Sequence, residues 1–267
     1  MAATEDFYVT LTSNASEEFF PSNSLTEFWN KCPQPISLDE NTGWSVALVD
    51  FQCPVNWIPL KGGDFELRFT RTSGGYASHV MTIPPSAFKD KKALWNVLDK
   101  QIQALEDPYI CNGFRMTCDF PSYKFVLFLE KESYLEASPQ LLSILGIKHN
   151  AGQKIEGGRV RLGSPNSTRT FEGYLDVMGG YRTLWLYSNV CGYRFVGQAS
   201  YPLLRCVAVR SYAQQILQKS FYHPMYLPVS KNYFEHLHFV IRDTQGLPVP
   251  FQSGQVVATL HFRPLKG

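Results

Sequence analysis

Across residues 234–242, His236, His238 and Val240 alternate with Leu237, Phe239 and Ile241. Across 255–262, Val257, Thr259 and His261 alternate with Val256, Ala258, Leu260 and Phe262. A two-residue period puts each class of side chain on its own face of an extended strand, one wet and one dry. That is the pattern of an antiparallel sheet packed on one side. Phe239, Ile241, Leu260 and Phe262 are therefore core candidates. Asp243-Thr-Gln-Gly246 is a turn signal directly after the first segment, and the rest of the link runs through Pro248 and Pro250.

Strands are also expected, from alternation or short apolar runs, at 7–11, 27–29, 44–52, 65–70, 78–83, 114–118, 123–130, 183–188 and 203–210. The 44–52 segment is apolar enough to bury both faces. The 19 Phe, 14 Tyr and 5 Trp favour β structure. Only two segments read as helix. Residues 91–105 follow a capping Asp90 and place Leu94, Leu98, Ile102 and Leu105 on one stripe, as for an amphipathic helix against a sheet. The second is short, with Ser138 at the cap, Pro139 at the first position and Gly146 at the end. Residues 146–182 then hold eight glycines and few apolar pairs, which reads as a long loop excursion and not as a second domain. The expectation is one domain over 1–267, with residues 1–30 an acidic N-terminal arm and first strand.

A chain of 267 residues buries enough surface to need no staples. Cys32, Cys53, Cys111, Cys118, Cys191 and Cys206 show no CxxC spacing and read as reduced thiols, with Cys206 a buried one in an apolar run. No apolar stretch reaches the roughly 18 residues of a membrane span. The opening Met-Ala-Ala-Thr-Glu-Asp-Phe lacks the basic and apolar regions of a secretory signal. Asn14-Ala-Ser16 and Asn166-Ser-Thr168, matches to the glycosylation acceptor pattern, are therefore discounted. A net charge of +2 removes the strongest argument for a nucleic-acid binder. The first 30 residues carry Glu5, Asp6, Glu17, Glu18 and Glu27 and no Lys or Arg, the wrong sign for an arm that grips nucleic acid.

No phosphate-cradling glycine loop, GxSxG or HExxH is present. His79, His149, His223, His236, His238 and His261 are too dispersed for a metal site; His236 and His238 share a strand face but lack a third ligand. No catalytic residue, cofactor or metal is expected. Leu175, Asp176 and Val177 form a tripeptide of the kind some integrins recognise, a candidate receptor motif in the Gly-rich stretch.

Ordered motifs carry a resemblance. They are Phe7-Tyr-Val-Thr-Leu-Thr-Ser-Asn14, Phe20-Pro-Ser-Asn-Ser24, Gly43-Trp-Ser-Val-Ala-Leu-Val-Asp-Phe-Gln-Cys-Pro54 with Trp57, and the short helix ending at Gly146. Leu184-Trp-Leu-Tyr-Ser188, Pro202-Leu-Leu-Arg205, Tyr226-Leu-Pro-Val229, Gly246-Leu-Pro-Val-Pro-Phe-Gln-Ser-Gly254 and Leu260-His-Phe-Arg263 follow. In order and spacing the chain resembles the penton (minor capsid) protein of Polinton-type elements, adintoviruses and adomaviruses. The resemblance implies an all-β single jelly-roll β-sandwich, with the amphipathic helix and the Gly-rich insertion added. It further implies a structural virion protein: a homopentamer at the vertex of an icosahedral capsid, docked to a major capsid protein and assembled in the host nucleus. Asn189 departs from the acidic residue expected after the Tyr-containing strand. The chain ends at Gly267, just past the last strand, so a receptor-binding head is expected on a separate fibre protein.

Two apolar connections are candidate subunit or partner contacts: Tyr226, Leu227, Pro228 and Val229, and Pro248, Pro250 and Phe251. In a ring they would meet a neighbour through a heterologous contact. The rival reading is a stand-alone carbohydrate- or receptor-binding β-sandwich using the Gly-rich stretch and exposed aromatics. A hydrolase on a jelly-roll scaffold is the third.

Overall fold

The dry faces of the two alternating segments pack into one core: Leu237, Phe239, Ile241, Leu260 and Phe262 are all buried. The computed structural model describes residues 5–57, 60, 62–105, 110, 112–120, 122–148, 156–179, 181–210 and 215–265. Cys111 and His149 lie outside the described residues. The chain forms two compact units where one domain was expected: unit 1 is residues 1–57 with 181–267, and unit 2 is residues 58–180.

The strands in chain order are β1 (Phe7–Thr12), β2 (Glu27–Ser37), β3 (Trp44–Val55), β4 (Glu66–Arg71), β5 (Ala77–Thr82), β6 (Phe114–Asp119), β7 (Lys124–Leu129), β8 (Ser133–Ala137) and β9 (Val160–Ser164). They continue with β10 (Arg169–Tyr174), β11 (Thr183–Ser188), β12 (Arg194–Val196), β13 (Ala199–Tyr201), β14 (Leu203–Ala208), β15 (Gln215–Ser220), β16 (Leu227–Pro228), β17 (Tyr233–Arg242) and β18 (Val257–Pro264). Two α-helices of the described residues are α1 (Lys91–Gln103) and α2 (Pro139–Ile144).

In unit 1 one sheet runs β1–β18–β3–β15, with β16 also on β3, and the other runs β14–β11–β17–β2. The eight principal strands in chain order are β1, β2, β3, β11, β14, β15, β17 and β18. The sheets then read first–eighth–third–sixth and second–seventh–fourth–fifth, every pair antiparallel. That is the strand order of a jelly roll, two facing sheets wound from one ribbon. Aromatic rings join the sheets: Phe239 stacks on Phe28 in its own sheet at 5.4 Å and reaches Phe51 across the core at 6.2 Å. Truncating a ring so placed costs about 3–5 kcal/mol. As expected, β3 buries both faces over Trp44, Ser45, Val46, Ala47 and Leu48; within its sheet it runs between β18 on one side and β15 and β16 on the other.

The Gly-rich stretch is not the whole insertion, nor a bare loop. The segment between the third and fourth principal strands is all of unit 2, and 146–182 contributes two strands to it. β9 extends the sheet β5–β4–β8–β9, and β10 edges the sheet β10–β7–β6. Glycines hid these strands, yet Val160, Leu162 and Leu175 are fully buried in a core shared with residues from 60 to 147. Phe69 of β4 stacks on Phe114 of β6 at 3.9 Å, and Trp95 of α1 meets Phe125 of β7 edge-on. Both caps form: Asp90 accepts from the Ala93 amide at 2.7 Å and Ser138 from the Leu141 amide at 3.1 Å. Gly146 ends α2 at φ +74°, and the Ile147 amide reaches back to the Leu142 carbonyl. A Cβ on Gly146 would strike the Tyr174 backbone, and one on Gly173 would strike Gly146.

Candidate functional site

The apolar connection at 226–229 is largely taken up by unit 1 itself. Leu227 and Pro228 are β16, paired with Val46 and Ser45, and the Val229 amide bonds to the Trp44 carbonyl. The Tyr226 hydroxyl donates to His261 Nδ1 at 2.7 Å, and His261 Nε2 donates to Asp6 at 3.0 Å. Tyr8 stacks on His261 at 4.3 Å, and the Arg263 guanidinium lies 3.4 Å from the centre of the Tyr226 ring. This chain of contacts ties the segment before β1 and the segment before β16 to β18. In the second connection Val249 is buried and Phe251 packs edge-on against Trp57, leaving Leu247 and Pro248 exposed and Pro250 half-buried.

The receptor tripeptide is corrected by its burial. Leu175 is completely buried in the unit 2 core, and the Asp176 amide is bonded to the Ile144 carbonyl at 2.7 Å. A receptor cannot read all three side chains without unfolding the segment. Cys206 is also corrected: it is exposed on the edge strand β14, while Cys53 and Cys191 are buried. All five described cysteines are free.

Unit 1 carries a concavity that no sequence motif marks. A cleft of about 770 Å³ lies on the outer face of the β14–β11–β17–β2 sheet. Alternation builds its floor. Leu184, Leu186 and Ser188 of β11 point into the sandwich, so Trp185 and Tyr187 point out; on β17 the outward residues are His238, Val240 and Arg242. Tyr193, Val196 and Tyr201, from the β12–β13 hairpin and the loop before it, line another side. Among the described residues the hairpin pairs with no other strand, and it is mostly exposed, Phe195 at 91%. The Trp185 Nε1 is buried and has no hydrogen-bond partner among the described residues.

Beside the floor runs a charged row. Arg242 donates to Glu27 at 2.5 Å, and Glu27 lies 3.3 Å from His238 Nε2. Trp29 stacks on the His238 ring at 4.0 Å. Burial, helped by the nearby Arg242 charge, pushes the His238 pKa below its ordinary 6.5 despite the opposing pull of Glu27. His238 is therefore neutral at pH 7. Asn189 donates to the His236 carbonyl and accepts from the His238 amide, Ser188 donates to the His238 carbonyl, and Ser230 donates to the Asn189 carbonyl. Among the described residues no cluster of three or more His, Cys, Asp or Glu could hold a metal ion.

The signal that could have found the cleft is in the sequence. Trp185 and Tyr187 occupy the wet positions of β11, where solvated side chains would be expected; two large aromatic rings there indicate cover or a ligand.

No family model and no curated protein matches the chain. Among solved structures it is similar to the crystal structure of the selenomethionine-labelled mavirus penton protein, at 11% identity and a TM-score of 0.48, over 98% of this chain and 100% of that one. No described helix is long and apolar enough to cross a membrane.

Proposed function

We infer that this chain is a structural virion protein that assembles as a homopentameric ring at the vertex of an icosahedral capsid. In this reading it belongs with the pentons of Polinton-type elements, adintoviruses and adomaviruses, docks to a major capsid protein, carries a separate fibre protein and assembles in the host nucleus. The observation that carries the reading is the jelly-roll strand order of unit 1, taken with the ordered motifs of the sequence. Such a protein works by geometry: rigid sandwiches present loops and edges, and assembly buries apolar surface between copies. The parts of the two apolar connections left for a neighbour are Pro228, Leu247 and Pro248, which are exposed.

Light scattering of the full chain, with negative-stain microscopy of the same sample, tests this. The expected result is a species of five times 30.4 kDa that images as a ring. A second reading, a stand-alone receptor- or carbohydrate-binding β-sandwich, draws on the aromatic cleft. It predicts a monomer at all concentrations.

A further inference from the structure

We propose that the cleft on the outer face of the β14–β11–β17–β2 sheet binds an extended segment of a partner polypeptide, one that sets an apolar or aromatic side chain on Trp185 and Tyr187 and an acidic side chain beside Lys231. The cleft has the volume of a ligand site, where about 300–1,000 Å³ is usual, and a mostly apolar floor. Trp185 Nε1 is buried, with no hydrogen-bond partner among the described residues.

The charge balance selects the occupant. Lys231 lies on the cleft wall, 5.3 Å from the Phe234 ring, with no ion-pair partner among the described residues. The acidic group on the wall, Asp243, has its Oδ1 engaged by the Gln245 and Leu247 amides. Arg242 is paired with Glu27. The cleft thus offers a cation with no ion-pair partner among the described residues, which suits an occupant bearing a carboxylate. A sugar is less well served, because Asn189 and Ser188 spend their side chains on the β17 backbone. An extended peptide brings carbonyl acceptors and apolar side chains together.

The cleft lies within unit 1 of a single chain, so it does not depend on ring formation. The test is selection of phage-displayed random 12-residue peptides on the full-length protein, followed by fluorescence polarisation with the enriched peptides. The expected peptides carry an acidic residue within three positions of an aromatic or large aliphatic one. Their affinity should fall at least tenfold in Trp185→Ala and several-fold in Lys231→Glu, and hold in Phe195→Ser, an exposed change on the hairpin outside the cleft lining. Lys231 is exposed, so Lys231→Glu reports even if Trp185→Ala fails to fold. Enriched peptides indifferent to both cleft variants, or no enrichment over the Lys231→Glu protein, would overturn the proposal. So would a glycan array whose binding is lost in Lys231→Glu. A protein that binds these peptides yet stays monomeric by light scattering sustains this site and contradicts the vertex role, while a ring without peptide binding does the reverse.

Discussion

Asn189 accepts the backbone amide of His238 on its side-chain carbonyl at 2.9 Å, and its amide group donates to the carbonyl of His236 at 3.1 Å. The β11–β17 ladder ends at the Ser188–Phe239 pair, so the Asn189 side chain extends it by one more rung. A carboxylate at this position could accept from the His238 amide but could not donate to the His236 carbonyl. Asn189→Asp should therefore cost about 1–3 kcal/mol, the penalty of leaving a carbonyl unpaired and facing a charge. Urea unfolding of both proteins at pH 7 measures it.

His238 makes stability depend on pH in one direction. Its folded pKa lies below the ordinary 6.5, chiefly from burial, so the unfolded chain takes up the proton more readily. The contribution is full above about pH 6.5 and is lost as pH falls below it. Thermal unfolding between pH 7.5 and 5 should show a loss of stability on acidification that is smaller in His238→Phe, where the ring can still stack on Trp29.

Thiol reactivity should follow burial. Burial pushes the Cys53 thiol up to about 12 and the Cys191 thiol up to about 11, so neither forms thiolate at pH 8. Iodoacetamide followed by peptide mass mapping should label exposed Cys206 first, and should reach Cys53 and Cys191 only in denaturant.

In unit 2 the close passage of Gly173 over the Gly146 carbonyl leaves no room for a methyl group. Gly173→Ala must displace main chain beside the buried Leu175, at a cost of about 1–3 kcal/mol or more. Gly75→Ser provides a comparison, since a Cβ at Gly75 meets nothing although its φ of +150° carries some strain. Calorimetric scans of the two variants should show the larger loss for Gly173→Ala.

What the sequence made legible is what repeats locally. The alternation of β17 and β18 gave their cores, and the caps Asp90 and Ser138 gave both helix starts, because each signal lies within a few residues. β15 escaped because five of its six residues are exposed and it shows no dry face. β9 and β10 escaped because glycines interrupt them, Gly163 at φ +119° against the Ser133 carbonyl. The unit boundaries could not be read locally: the jelly roll is assembled from 1–57 and 181–267, and its pairing of β1 with β18 spans nearly the whole chain. The cleft was half legible. Trp185 and His238 were recognisable as outward residues, but the hairpin and the 243–246 turn that enclose them are brought there only by tertiary structure.

The central claim is that this jelly roll is a capsid vertex brick, and the most direct measurement is a cryo-electron microscopy map of particles assembled from this chain and the major capsid protein of the same element. The account predicts density for five copies of the unit 1 sandwich around each five-fold axis. A map whose five-fold vertices are filled by another protein, with this chain absent from the shell, would contradict it.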